Sequence, residues 1–191
     1  AGAKNHMVIM PDAHRNRTVD NIIGAAVGAA GQRCMAISVA VFVGESKKWI
    51  DDIKEGMSKV SPGPWENPES GYGPLISKQA KERVIGLIET GKQEATCLLD
   101  GSECSVKDYP NGHWVGPTLF TDVTTNSTIY KTEIFGPVLL CICVDTLQEA
   151  LDLVNANPYG NGTSIFTNSG SAARKYRHEV EVGQVGINIP I

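Results

Sequence analysis

The chain has 191 residues, of which 41% are hydrophobic and 20% charged, and its 17 Lys and Arg against 21 Asp and Glu give a net charge of −4. This length and composition are those of an ordinary globular domain, which excludes extensive disorder. The acidic balance, without a cluster of basic residues, argues against nucleic acid as a partner, and no apolar run approaches the ~20 residues that cross a membrane.

In chain order, apolar periodicity predicts strands that alternate with helices. Apolar runs predict strands at 7–10, 37–43, 95–99, 114–120, 138–144, 163–167 and 185–189. Helical spacing predicts five helices. One begins at Thr18, one covers 46–60, one runs from Ser77 to about Gly91, one follows a capping box at Thr146 and Glu149, and one covers 171–180. The alternation predicts a three-layer α/β fold, in which helices cover both faces of a mostly parallel sheet. Within 114–120, Gly116 and Pro117 favour an edge position in that sheet.

Cysteine and histidine placement gives no indication of a metal site. The five cysteines stand at 34, 97, 104, 141 and 143, an odd number without a C-x-x-C pair, which disfavours a disulfide framework and a structural zinc site. The four histidines, at 6, 14, 113 and 178, share no metal-ligand spacing. We therefore expect no bound metal.

One cysteine, Cys34, stands where a nucleophile could act. It closes the sequence Gly-Gln-Arg-Cys at 31–34, a glycine-initiated turn after the first long helix, where backbone N–H groups can converge on one point. A thiolate beside such donors and beside Arg33 would have an oxyanion site next to it. The alternative is a small buried apolar side chain, which is the usual role of a lone cysteine.

A second candidate site lies at 132–137, between a polar loop and the most apolar strand. Ligands of open α/β sheets gather where loops leave strand ends. There Glu133 could accept hydrogen bonds from a sugar hydroxyl, and Phe135 could pack on a flat ring. The alternative is a solvated charge followed by a simple Gly-Pro turn. The glycines at 24, 28 and 31 lack the spacing of a phosphate-binding loop and favour close helix packing instead.

Taken together, seven short motifs spread over nearly the whole chain resemble the aldehyde dehydrogenase family. They are Gly-Ala-Lys-Asn at 2–5, Gly-Gln-Arg-Cys at 31–34, Gly-Pro-Leu at 73–75, Gly-Pro-Thr at 116–118, Glu-Ile-Phe-Gly-Pro-Val at 133–138, Asn-Pro-Tyr-Gly at 157–160 and Gly-Gln-Val-Gly-Ile-Asn at 183–188. Extended forms of the first, second and sixth motifs are similar to the CoA-acylating branch of the family. The resemblance implies that residues 1–191 form the catalytic domain, with the N-terminal NAD-binding domain and the C-terminal tail absent; strands at both ends of the chain also indicate a fragment.

The resemblance implies a role for three residues. Cys34 would attack an aldehyde, and its own N–H, with an Asn outside this chain, would hold the resulting oxyanion. Hydride would pass to NAD, leaving an acyl thioester on the enzyme. Glu133 would bind the nicotinamide ribose and Phe135 would contact the neighbouring ring. In the acylating branch, coenzyme A accepts the acyl group. The resemblance also implies that the substrate, methylmalonate or malonate semialdehyde, would be decarboxylated and yield propionyl-CoA or acetyl-CoA in valine and pyrimidine breakdown.

Arg33 supports an acidic substrate on physical grounds. Such a semialdehyde carries a carboxylate, which a guanidinium beside the nucleophile could bind through two parallel hydrogen bonds. The alternative is that Arg33 points outward into a structural ion pair.

Two other functions remain open at this stage. A hydrolytic aldehyde dehydrogenase would use a Glu just before the first motif, at the position that precedes Ala1, to release a free acid. The chain could also be an inactive truncated scaffold. By the same resemblance, we expect the full-length protein to form a homo-oligomer in the mitochondrial matrix.

Overall fold

A computed structural model describes residues 2–191 and contains one seven-stranded sheet. Its strands are β1 (Asn5–Ile9), β2 (Ile37–Val43), β3 (Thr96–Leu99), β4 (Thr118–Thr121), β5 (Val138–Val144), β6 (Gly162–Phe166) and β7 (Gln184–Ile187). They lie in the order β3-β4-β5-β2-β1-β6-β7. All neighbouring pairs are parallel except β3 and β4, which are antiparallel.

Six α-helices connect these strands. They are α1 (Arg15–Val27), α2 (Ile50–Ser58), α3 (Lys78–Glu94), α4 (Thr128–Lys131), α5 (Leu147–Asn155) and α6 (Gly170–Glu179). Every residue of β1 and β6 is buried, as expected of strands that helices cover on both faces. The predicted three-layer α/β class is therefore confirmed.

Helix boundaries follow local chemistry closely. The Ser77 hydroxyl caps α3 by accepting a hydrogen bond from the Ala80 N–H, and Thr146 and Glu149 form the predicted capping box of α5. The predicted helix over 46–60 is only partly α-helical, because a 3₁₀ segment, Gly44–Trp49, precedes α2. The four-residue helix α4 escaped prediction, since it is too short to show an apolar period.

The predicted edge position of 114–120 is wrong. The strand in this segment, β4, lies between β3 and β5. Gly116 and Pro117 precede the strand, so the missing proline N–H removes no hydrogen bond from the ladder. The antiparallel β3 forms the edge instead.

Candidate active site

The turn that carries Cys34 has an unusual backbone. After α1, the three consecutive residues Ala29, Ala30 and Gly31 have positive φ values of 52°, 57° and 65°. This left-handed stretch reverses the chain and delivers Cys34, with an exposed side chain, to a turn just before β2. The buried apolar role of Cys34 is thus not what the structure shows.

Gly31 fixes this turn against the second candidate site. A Cβ atom at Gly31 would lie 2.1 Å from the carbonyl oxygen of Gly136. Only glycine allows that approach at a positive φ, so the two predicted motifs depend on each other for their packing. On the other side of the turn, the Gln32 side-chain oxygen accepts a hydrogen bond from the Ile76 N–H at 3.0 Å.

Two asparagine amides hold the backbone of Cys34. Its carbonyl oxygen accepts hydrogen bonds from Asn5 Nδ2 at 2.9 Å and Asn161 Nδ2 at 3.0 Å. Asn5 also donates to the Ala36 carbonyl and accepts from the Gly162 N–H, both at 2.9 Å. The nucleophile turn is therefore clamped to the starts of β1 and β6.

The amide N–H of Cys34 is available to a ligand. No hydrogen bond within residues 2–191 uses it, although the N–H groups of Gln32 and Ala36 donate to the carbonyls of Ala29 and Arg33 at 3.0 Å. An exposed sulfur with a free N–H on the same residue is the arrangement that an acyl-transfer site requires, because the N–H can stabilise a developing oxyanion.

Arg33 lies in the same turn and is exposed. Its Nη2 donates to the carbonyls of Gly24 and Ala25 at 3.2 Å each, near the end of α1, where the Gly24 carbonyl also accepts from the Gly28 N–H. It forms no ion pair with any residue of the described chain. Arg33 thus braces the helix that leads to the nucleophile.

The second candidate site is a loop between α4 and β5. Phe135 has a positive φ of 56° and is 39% exposed, so its ring projects from the loop. The carboxylate of Glu133 accepts no hydrogen bond from residues 2–191, whereas Arg83 of α3 donates to the carbonyls of Glu133 and, at 2.6 Å, Ile134. The backbone of the loop is fixed, while the Glu133 carboxylate has no hydrogen-bond partner in the described chain and the Phe135 ring is exposed.

All four predicted site residues line one narrow cleft, whose volume within this domain is only about 10 Å³. Arg33, Cys34, Glu133 and Phe135 contribute to its walls, together with Asn5. A larger cavity of about 790 Å³ lies elsewhere, between the 63–74 and 108–114 loops, and contains none of them. The sequence-predicted residues are thus brought together in space despite a separation of about a hundred positions.

The cleft lies at the amino ends of the parallel strands. Cys34 precedes β2, which pairs with β1 from Asn5 and Ile37 onward with a register shift after Asn5, and Glu133 and Phe135 precede β5. Ligands in open α/β sheets usually bind at the carboxyl ends of the strands, so the rule used for the sequence places this site at the wrong edge. The residues are those predicted, but the supporting geometric argument is wrong.

Sequence reasoning missed the buried polar residues beneath the cleft. Lys4 and His6 are each 1% exposed. His6 Nε2 lies 2.9 Å from the Tyr130 hydroxyl, and burial, assisted by the Lys4 charge, lowers the pKa of His6 to about 3. The available signal was a run of polar residues, 4–6, leading directly into a fully buried strand.

The described part of the chain contains neither a membrane-spanning helix nor a metal site. Among residues 2–191, no helix is both long and apolar enough to span a bilayer. No group of three or more His, Cys, Asp or Glu side chains there could hold a metal ion.

Comparisons with known proteins agree with this geometry. The sequence profile of the Aldehyde dehydrogenase family matches residues 1–191. A mitochondrial methylmalonate-semialdehyde/malonate-semialdehyde dehydrogenase [acylating] of Bos taurus is 56% identical over 99% of this chain, which covers 35% of that protein. A probable mitochondrial enzyme of the same name from Dictyostelium discoideum is 54% identical over 99% of the chain and is covered to 36%. The chain thus spans about a third of the length of these curated relatives.

Solved structures give the same result. Methylmalonate-semialdehyde dehydrogenase from Oceanimonas doudoroffii matches 100% of this chain over 40% of its own, with 46% identity and a TM-score of 0.96. A Sinorhizobium meliloti 1021 structure with the same enzyme name, complexed with NAD, matches with 44% identity and a TM-score of 0.97, over 100% of this chain and 40% of that one.

Proposed function

The chain belongs to the aldehyde dehydrogenase family, and from that premise we propose that it is the catalytic domain of an NAD-dependent, CoA-acylating methylmalonate/malonate-semialdehyde dehydrogenase. The observation that carries this proposal is the shared cleft of Arg33, Cys34, Glu133 and Phe135. The names of its relatives support the substrate and the acylating reaction. A separate domain would supply most contacts to NAD.

The residues on this chain fit an NAD molecule. Gly2 faces the Glu133 carboxylate, and a Cβ there would lie 3.7 Å from Glu133 Oε2 and 3.6 Å from the Tyr159 ring. The absence of a side chain at Gly2 leaves space in front of the Glu133 carboxylate, which has no hydrogen-bond partner in the described chain. Glu133 would hold the ribose hydroxyls there and the Phe135 ring would pack beside the nicotinamide. NAD, when bound, supplies the acceptor for a hydride.

In the proposed reaction, the Cys34 sulfur forms a bond to the aldehyde carbon and the carbonyl π electrons move to oxygen. The Cys34 N–H donates to this oxyanion, and a second donor would come from outside this chain. Oxidation of the carbon leaves an acyl thioester on Cys34. The CoA thiolate then attacks the acyl carbon and the Cys34 sulfur leaves. Loss of the β-carboxylate as CO₂ leaves the electrons of the broken C–C bond on the α-carbon, which takes up the proton given up by the CoA thiol. One semialdehyde carboxylate, one CoA and one NAD⁺ thus give one acyl-CoA, one CO₂ and one NADH.

The acyl acceptor provides the decisive experiment. We expect the full-length protein that contains this chain to form propionyl-CoA from methylmalonate semialdehyde, NAD and CoA, and to turn over at most slowly without CoA. Chromatographic analysis of the products tests this. Rapid formation of a free acid without CoA would identify a hydrolytic enzyme, and no product under any condition would identify an inactive scaffold.

Arg33 is part of the proposal as the group that binds the substrate carboxylate. Arg33→Lys and Arg33→Ala are each compared with wild type, on a carboxylate-bearing semialdehyde and on a neutral aldehyde such as propionaldehyde. We expect kcat/KM for the charged substrate to fall roughly tenfold or more beyond the loss for the neutral one. Equal losses on both substrates would mean that Arg33 only braces α1.

Location and assembly follow the same relatives. We propose a mitochondrial protein, in the matrix, because the relatives named above are mitochondrial. We also propose that the full-length protein is a homo-oligomer, which the family resemblance supports.

A further inference from the structure

Lys4 is a buried cation that the proposed reaction does not use. It is 1% exposed, and lysine is almost never fully buried unless its charge is paired or hydrogen-bonded. Its Nζ donates to the carbonyls of Ile129 at 3.0 Å and Thr132 at 2.7 Å. These two oxygens lie at the end of α4, where helix carbonyls have no partner in the next turn.

The position of these carbonyls connects Lys4 to the cleft. Thr132 immediately precedes Glu133, so Lys4 fixes the backbone one residue before the carboxylate. On the other side, Arg83 donates to the carbonyls of Glu133 and Ile134. The segment 129–134 is therefore held by an inner and an outer cation, each bound to backbone oxygens.

The charge balance around Lys4 agrees with this arrangement. Burial lowers the pKa of Lys4 to about 8, the negative charge of Glu133 acts in the opposite direction, and Arg83 adds to the lowering. The Glu133 carboxylate is thus the negative charge that compensates a buried ammonium, while its oxygens remain free of hydrogen bonds from residues 2–191.

We propose that Lys4 is a positioning residue, which holds the 129–133 backbone so that the Glu133 carboxylate faces the cofactor ribose. This inference rests on the proposed function, since it assumes that Glu133 binds the ribose. Lys4 itself touches neither cofactor nor substrate. The Cys34 carbonyl is held by Asn5 and Asn161, whose hydrogen bonds do not involve Lys4. We therefore expect loss of Lys4 to disturb the nucleophile turn much less than the 129–133 backbone, although Gly31 packs against Gly136.

The test uses the full-length protein with Lys4→Met, which keeps an unbranched side chain, shorter by the Nζ atom, and removes the donors and the charge. The matched control is Lys92→Met, because Lys92 lies on α3 and pairs with Glu89 and Asp100 away from the cleft. Three quantities are measured: the Kd of NAD, the rate of Cys34 alkylation by iodoacetamide without NAD, and hydrogen exchange of the amides in 128–136.

We expect Lys4→Met to raise the Kd of NAD roughly tenfold or more, since it removes hydrogen bonds from a charged donor. Exchange in 128–136 should become faster, while Cys34 alkylation stays within about twofold of wild type. Lys92→Met should change none of these quantities. An unchanged Kd, or unchanged exchange in 128–136, would overturn the positioning role.

Two further variants keep the outcome interpretable. Lys4→Gln retains an N–H donor without the charge, so it should show smaller changes in the same direction and serves if Lys4→Met does not fold. Glu133→Gln tests the proposed function on its own. If Glu133→Gln leaves the Kd of NAD unchanged, Glu133 does not bind the ribose, and the positioning proposal for Lys4 is also wrong. If Glu133→Gln raises the Kd of NAD but Lys4→Met does not, only the Lys4 proposal is wrong.

Discussion

At the carboxyl ends of β1 and β6, polar side chains bind one another or the neighbouring backbone. The Asp12 carboxylate accepts hydrogen bonds from the Thr167 hydroxyl at 2.9 Å and the Asn168 N–H at 3.1 Å, and Asn188 binds the backbone of Thr167 from the other side. At the amino ends, Asn5 likewise binds backbone groups, but the Cys34 sulfur and the Glu133 carboxylate have no hydrogen-bond partner in the described chain.

This difference separates a structural edge from a chemical one. Asp12 and Thr167 already have partners within the protein and are not free to bind a ligand, whatever the usual preference of open sheets. At the amino edge, Asn5 holds the backbone of the Cys34 turn in place, and the Cys34 sulfur and the Glu133 carboxylate have no partner in the described chain. We therefore expect the amino edge to carry the site and to be the more sensitive edge to pH and to substitution.

The largest expected effect concerns His6, beneath the amino edge. Its pKa is lowered to about 3 in the native state by burial, whereas the unfolded state takes up a proton below about pH 6.5. Stability should therefore fall as the pH drops from 6.5 to 3, with a contribution of roughly 4–5 kcal/mol from this residue. Urea denaturation across this range should show a shallower acid limb for His6→Phe than for wild type. His178→Gln, at an exposed position, is the control; an unchanged slope in His6→Phe would contradict the prediction.

Next comes Asn5, which links the Cys34 turn to β1 and β6. Asn5→Ala leaves the Ala36 carbonyl and the Gly162 N–H without their partner in a buried region, and leaves the Cys34 carbonyl with Asn161 alone, so we expect a loss of roughly 3–4 kcal/mol in the free energy of unfolding. Asn155→Ala removes two similar bonds at an exposed position and should cost under about 1 kcal/mol. Similar losses for both variants would mean that the clamp is not buried in solution.

Gly31 and Gly24 form a matched pair on either side of the end of α1. Gly31→Ala would place a Cβ 2.1 Å from the Gly136 oxygen at a positive φ, and should destabilise the protein by roughly 2–3 kcal/mol. Gly24 lies within the helix, and a methyl group added there would meet no atom within 4 Å, so Gly24→Ala should stabilise by roughly 0.5–1 kcal/mol. Thermal unfolding measures both, and the same sign for the two variants would contradict the packing described.

The smallest effect is expected at the carboxyl edge. Asp12→Ala removes the acceptor of Thr167 and Asn168 near the surface and should cost roughly 1–2 kcal/mol. The rate of Cys34 alkylation should not change, because the substitution lies at the opposite end of the strands. A clear change in that rate would erase the distinction between the two edges.

The sequence predicts most strands of this fold well, but it does not predict the hydrogen bonds that support the candidate site. β2 and β5 have the predicted limits because a continuous apolar run is a local signal. The edge position of 114–120 failed, since the strand order depends on which segments pair and Pro117 alone does not determine it. For the site, motif spacing identified Cys34 and Glu133 as candidates.

The roles of Lys4 and Asn5 could not be predicted in the same way. Their partners lie 125 and 31 positions away in sequence, at Ile129 and Ala36, and are backbone atoms, which carry no side-chain signature. The left-handed turn at Ala29 and Ala30 was equally hidden, because alanine does not favour a positive φ and only tertiary packing makes it adopt one.

The most direct test of the central claim, that the amino edge carries the reactive thiol, is to locate the acyl group. The full-length protein is incubated with methylmalonate semialdehyde and NAD in the absence of CoA, and peptides are then mapped by mass spectrometry. The predicted result is an acyl adduct on Cys34 that disappears when CoA is added and does not form in Cys34→Ser. Cys143 is the internal control. Its residue is exposed, and partial burial of its thiol raises the pKa of that thiol. An adduct on Cys143 in place of Cys34, or one that persists in Cys34→Ser, would contradict the account.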